Sequence, residues 1–270
     1  MELKYHDADV GRRIPEAARE GNPAPRPSGV GALDRAAAVL DAVEAGARTF
    51  TDVVAATGLP RPTVHRLLRA LVALGFLSRE DDRGYGPGPR LLRLAASALG
   101  QPRLRGLARP VLERLARETG ESAQLYIRSG DRRICVDAVE SRQELRTIVE
   151  VGASLPLTAG SAGKVFLAWA GDAERLVGRA ERLTPATPTG ERLRRELRAI
   201  RRRGWAASSG ERQPGVGSVS APVLGPGGEL VAAVSISGPE ARMGRAAARR
   251  LAPLVQEAAR EVAAGLGGPT

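Results

Sequence analysis

From Gly31 onward the chain acquires a helical rhythm: Leu33, Ala37, Leu40 and Val43 recur every three or four residues, and Gly46 closes the pattern. After a short segment, Arg48 to Phe50, a second helix is predicted over Thr51 to Thr57, with Thr51 as its N-cap and Gly58 as its breaker. Pro60 and Pro62 then stand where proline is tolerated, in the first turn of a third helix running from Arg61 to about Leu74. Phe76 to Ser78 and Gly84 to Gly86 read as two short strands around a polar tip, Arg79 to Arg83. Three helices followed by a hairpin predict a winged helix-turn-helix domain over residues 30–88.

The flanks differ. Residues 1–29 lack periodicity and carry Pro15, Pro23, Pro25 and Pro27, which predicts a flexible arm. A connector helix is expected over residues 89–102, ended by Pro102. A new helix, Arg103 to Glu118, opens a second domain over residues 103–266. There the period falls to two: Ala123, Leu125 and Ile127 alternate with Gln124, Tyr126 and Arg128. Further strands are predicted at Arg133 to Val139, Leu145 to Val151, Val216 to Val223 and Leu230 to Ser237, with helices in Ala162 to Val177 and Glu191 to Arg203 and at the C-terminus. The fold class expected is α+β, with a central antiparallel sheet flanked by helices.

In the helix from Arg61, Val64, Leu67, Leu68 and Leu71 form one apolar stripe that must face the core. At 100° per residue this turns Arg66 and Arg69 outward, with Thr63 and His65 at the flanks and Arg61 at the start. Such a surface suits a DNA major groove, because guanidinium forks read guanine edges. On the wing, Glu80, Asp81 and Asp82 would repel phosphate, so Arg79, Arg83 or Tyr85 is the expected contact.

Composition narrows the partners. A net charge of +11 favours a polyanion, but nearly all of it is arginine, and arginine is densest beyond the recognition helix, from Arg192 to Arg203. Aromatic residues make up only 3% of the chain, too few for stacking platforms on single-stranded nucleic acid. At 270 residues, two packed units are expected. One cysteine, Cys135, and two histidines, His6 and His65, exclude an internal disulfide, a zinc cluster and a hydrolase triad. Neither a P-loop nor a dinucleotide fingerprint is complete around Lys164 or Gly215, so no enzyme activity and no cofactor are expected. The polar N-terminus and the lack of a long apolar run predict a cytoplasmic protein with no membrane partner.

Several blocks resemble the isocitrate lyase regulator (IclR) family of bacterial transcription factors: TGLPRPTVHRLLRAL in the helix-turn-helix, LPLTAGSAGKVFLAW from Leu155, RRRGWAASSGERQPGVGSVSAPV from Arg201 and AAVSISGP from Ala232. GESAQLYIRSGDRRICV is similar to the actinobacterial subgroup that regulates leucine and related amino-acid biosynthesis. The resemblance implies a GAF-like effector-binding C-terminal domain, a near-palindromic double-stranded operator, a homodimer or dimer of dimers, and a small-molecule effector, with the protein a repressor. It implies an effector pocket at Ser161 and Ala162, under an apolar lid of Leu155 and Thr147, with Ser208, Ser218, Ser235 and Ser237. Thr158 stands where many members have His, and Ser208 where an acid is common. Independently, Gly160 to Gly163 at a helix N-terminus favours a carboxylate or phosphate. A DNA-binding protein whose second domain only oligomerises, and a small-molecule enzyme with an accessory helical domain, stay open as alternatives.

Overall fold

The structure, a computed structural model, describes residues 28–80, 84–91, 94 and 102–268. The arm expected over residues 1–29 lies almost wholly outside the described residues, as do Arg83 and most of the connector. Within the connector, Pro89 to Leu91 are helical. The chain divides into two compact units between Arg103 and Leu104.

The N-terminal unit consists of α1 (Gly31–Glu44), α2 (Phe50–Thr57), α3 (Arg61–Ala73) and the antiparallel pair β1 (Leu77–Glu80) and β2 (Gly84–Pro87). Val39, Val43, Val53, Val64, Leu68 and Leu71 form its core, so the predicted stripe of α3 does face inward. The cap of α2 needs correction. It is Thr49, not Thr51: Thr49 Oγ1 accepts from the Asp52 amide at 3.1 Å, and the Asp52 carboxylate accepts from the Thr49 amide at 2.9 Å. The reciprocal pair satisfies two backbone donors where a lone threonine would satisfy one. These bonds from Thr49 hold the Asp52 carboxyl below its usual range. Strand β1 starts one residue later than expected and ends two later, whereas β2 starts at Gly84 as expected and runs one residue further. Gly84 adopts φ +73° against the Arg48 carbonyl, where a Cβ would lie 2.1 Å from the oxygen. The neighbouring Tyr85 amide donates to that carbonyl at 2.8 Å, and the Arg48 guanidinium donates back to the Tyr85 carbonyl at 3.1 Å. The wing is thereby stitched to the start of the helix-turn-helix.

In the C-terminal unit, α4 (Pro102–Thr119) precedes β3 (Ser122–Ser129), β4 (Arg132–Val139) and β5 (Ser154–Pro156). Then follow α5 (Ser161–Trp169), α6 (Ala173–Gly178), α7 (Gly190–Arg203), β6 (Ala206–Ser209), β7 (Val216–Leu224), β8 (Leu230–Pro239) and α8 (Arg245–Gly265). The six strands form one antiparallel sheet in the order β5-β4-β3-β8-β7-β6. Val165, Phe166 and Leu167 of α5 and Leu193, Leu197 and Ile200 of α7 pack with Tyr126, Cys135 and Ala233 of the sheet into one core. Pro102 opens α4 rather than merely ending the connector.

Two strand expectations also change. Leu145 to Val151 is not a strand: Leu145 is 68% exposed, and Ser122 Oγ and Arg242 take the carbonyls of Thr147 and Leu145. The backbone of Cys135 on β4 is instead bonded by Ala153 and Gly152, which extends the β5 ladder. Conversely, Ala206–Ser209 forms an unpredicted edge strand. Its alanines and serines have little strand preference of their own, and pairing with β7 supplies the order.

The capping box yields a prediction. Thr49→Ala should cost about 1 kcal/mol of stability, read from denaturant unfolding of the full chain. The Asp52 contribution should be full above the ordinary carboxylate range and fade as pH falls through its lowered value. An Ala variant as stable as the parent at neutral pH would contradict the assignment.

Candidate functional site

The helix-turn-helix surface is built around Phe50. The Arg61 guanidinium lies 5.0 Å from its ring centroid, and the His65 ring meets it edge-on at 6.3 Å. Aromatic contact thus holds two of the expected readers at the N-terminal turn of α3. Arg66 and Arg69 are exposed, while Thr63 is half-buried. No carboxylate pairs with Arg66 or Arg69 among the described residues, and α3 has no acid in its first turn. Tyr85 is half-buried against the core, with the Arg79 guanidinium 5.8 Å from its ring.

The second site is built on strand register. Ser208, Ser218, Ser237 and Ser122 pair successively across β6, β7, β8 and β3, and Ser220, Ser235 and Gln124 form the next row. Residues two apart on a strand share a face, so these rows make one polar band on the sheet. The first residue of α5 lands on it: Ser161 Oγ donates to Ser218 Oγ at 2.7 Å and lies 2.7 Å from Ser220 Oγ. Ser220 donates onward to Ser235 at 2.8 Å, and Gln124 Nε2 donates to Ser237 Oγ at 2.9 Å.

Around this band lies a narrow recess of about 30 Å³, lined by Ser161, Ala162, Ser208, Ser218, Ser235 and Ser237 among others. Six of the eight residues expected there are therefore together. The remaining two are not. Neither lines the recess: Leu155 packs into the core, and Thr147 is buried with its carbonyl taken by Ser122 Oγ.

Charged residues missed in the sequence complete the wall. Arg133 and Arg212 both line it. Arg133 is buried, donates to the Ala159 carbonyl at 2.9 Å and to that of Pro156, and lies 5.4 Å from the Tyr126 ring centroid. Gly160 and Gly163 make room for it: a Cβ would lie 2.9 Å from the Arg133 guanidinium at Gly160 and 2.5 Å at Gly163. The glycines thus serve the Arg133 side chain as well as the N-terminus of α5. Behind them, Lys164 Nζ is 1% exposed and donates to Glu211 Oε1, to Glu196 Oε2 at 2.8 Å and to the Ala207 carbonyl at 2.8 Å. Glu211 Oε2 in turn accepts from the Gly160 amide at 3.1 Å. Glu211 is thus committed, and among the described residues the lining of the recess holds two guanidinia and no carboxylate. Such a lining is chemically suited to an anion.

Comparison with known proteins agrees with this division of labour. The IclR helix-turn-helix domain matches residues 32–81, and the bacterial transcriptional regulator IclR C-terminal domain matches residues 96–264. The HTH-type transcriptional regulator BhcR of Paracoccus denitrificans is 35% identical, over 88% of each chain. The HTH-type transcriptional repressor AllR of Escherichia coli is 28% identical, over 88% of this chain and 91% of its own. An IclR homologue of Microbacterium hydrocarbonoxydans, crystallised with 4-hydroxybenzoate, superposes with a TM-score of 0.72 at 28% identity. That match covers 87% of this chain and 98% of the other.

Removing one member of the buried ion cluster should be severe. Lys164→Met leaves Glu211 buried without its cation and should cost about 3–5 kcal/mol, whereas Lys164→Met with Glu211→Gln should recover most of the loss. Equal stability of the single variant and the parent in denaturant melts would refute the role given to the pair.

Proposed function

Because the chain belongs to the IclR family of bacterial transcriptional regulators, and so joins a DNA-binding helix-turn-helix to an effector-binding domain, we propose that it is a repressor released from its operator by a small carboxylic acid. Its relatives are regulators, not enzymes. Among the described residues no helix is long and apolar enough to cross a membrane.

The observation that carries the effector class is the pairing of Arg133 and Arg212 with a wall of serine hydroxyls at the start of α5. A carboxylate gains charge-assisted bonds from the guanidinia and neutral ones from the hydroxyls. Ser161, the first residue of α5, bonds Ser218 within the lining, so a ligand that competes for this contact would link occupancy to the position of α5. The repressor sense follows AllR, named for repression, and the acid class accords with the hydroxybenzoate held by the homologue. Within that class an amino acid or organic acid is proposed, in line with the amino-acid-regulating subgroup.

On the DNA side, we take Arg66 and Arg69 as the base-reading pair, with Arg61, Thr63 and His65 beside them and the wing at Tyr85 and Arg83. A near-palindromic operator and a homodimer or dimer of dimers complete the proposal. Val30 and Leu33, 52% and 63% exposed at the start of α1, offer apolar surface to a second copy.

Genome-wide mapping of bound sites supplies the operator for two tests. Arg66→Ala should weaken specific binding by about 1–3 kcal/mol while leaving non-specific binding nearly unchanged, and an unaltered operator isotherm would remove α3 Arg66 from the reading set. Ser235→Ala should weaken binding of small carboxylic acids several-fold, a loss of about 1 kcal/mol, without changing operator affinity in their absence. Calorimetric titration with acetate, lactate and benzoate reads this, and affinities equal to the parent's would exclude Ser235 from the site.

A further inference from the structure

We propose that the arginine face formed by the last turn of α7 with the first turns of α8 is a second contact surface for the phosphodiester backbone of duplex DNA. Helix α7 buries Leu193, Leu197 and Ile200 and presents arginine on most of its remaining surface. Three of its arginines before the last turn are paired: Arg192 lies 3.6 Å from Glu196, Arg194 2.8 Å from Glu174 and Arg198 2.8 Å from Glu191. The last turn is not. Among the described residues no carboxylate pairs with Arg201, Arg202 or Arg203, nor with Arg249 on α8. Glu196, the acid whose field reaches Arg203, has already given an oxygen to the buried Lys164.

Uncompensated like charge is costly, and here it is also desolvated. Burial pulls the Arg203 guanidinium below its ordinary value, Glu196 offsets part of this, and the neighbouring Arg249 adds to it by repulsion. An anion placed between them would relieve both effects. The side chains are also held in readiness. Arg201 lies 4.4 Å from the Trp169 ring centroid and Arg203 4.1 Å from that of Trp205, the chain's two tryptophans. A guanidinium stacked on an indole keeps its in-plane N–H fork and has lost its freedom beforehand, so a phosphate contact costs less entropy.

Shape points the same way. Beside Arg201 and Arg202 runs a groove of about 330 Å³ whose wall includes Ala168, Ala170 and Ala173, with Arg194 and Arg198 and the Glu174 carboxylate that pairs with Arg194 along its other side. Small side chains between guanidinium rims admit a backbone strand closely. In a DNA-binding regulator, phosphate contacts here would add affinity without adding sequence preference, and this inference rests on the function proposed above.

Salt dependence of full-chain binding to a random-sequence duplex tests this, because each phosphate contact contributes roughly 0.9 to the slope of log affinity against log salt between about 50 and 200 mM. Arg201→Ala with Arg202→Ala and Arg249→Ala should lower that slope by about 2 to 3, and the corresponding triple lysine variant should restore it. An alanine triple that keeps the parental slope and melts normally overturns the proposal and leaves the face to an acidic protein or to solvent. A slope lost equally in the lysine triple would overturn it too, since charge would not be the cause. Arg66→Ala with Arg69→Ala, measured alongside, should weaken operator binding whichever result the α7 variants give, which separates this surface from the recognition helix.

Discussion

An ammonium group stripped of water must find counter-charge or lose its proton, and Lys164 meets that demand deep in the C-terminal unit. Its partners come from three places: Glu211 from the loop between β6 and β7, Glu196 from α7 and the Ala207 carbonyl from β6. Glu211 then holds the Gly160 amide, just where α5 begins. The threonines Thr184 and Thr187 fix the same loop by donating to the carbonyls of Gly210 and Glu211 at 2.6 Å each. One buried cation therefore sets the relative positions of the edge strand, the helix N-terminus and the loop that frame the anion recess. In a chain whose other basic residues, Lys4 apart, are all arginine, the compact ammonium sits where a planar fork would not fit three converging oxygens.

Much of this was legible before any coordinates. The stripe of α3 determined which residues it buries, because helical period leaves no other arrangement, and the alternation in β3 and β4 placed both strands. Failures occurred where tertiary partners override local pattern. Leu145 to Val151 has strand-like composition, yet Ser122 and Arg242 take its carbonyls and β5 occupies the edge of β4. Ala206–Ser209 has no strand-like composition and is one because β7 pairs with it. Thr49 and Asp52, three residues apart, spell a capping box, a signal present in the sequence itself that outweighs Thr51.

The site shows the same limit. Serines two apart on β7 and β8 announce a shared face, so their convergence follows from register. The arginines do not announce themselves. Arg133 falls in an alternating strand where a guanidinium would be expected to seek solvent, and only the absence of side chains at Gly160 and Gly163, together with the Tyr126 ring, makes room for it inside. The sequence shows two glycines and an arginine far apart; the cavity that unites them is a tertiary property.

The serine band across β6, β7, β8 and β3 has one more consequence. Hydroxyls and guanidinia keep their protons throughout the range in which cells live, and the nearby carboxylate of Glu211 is spent on Lys164. If the proposed carboxylate is the ligand, a receptor assembled from such groups would answer to the abundance of an already ionised metabolite, where a histidine-based sensor would also answer to acidity.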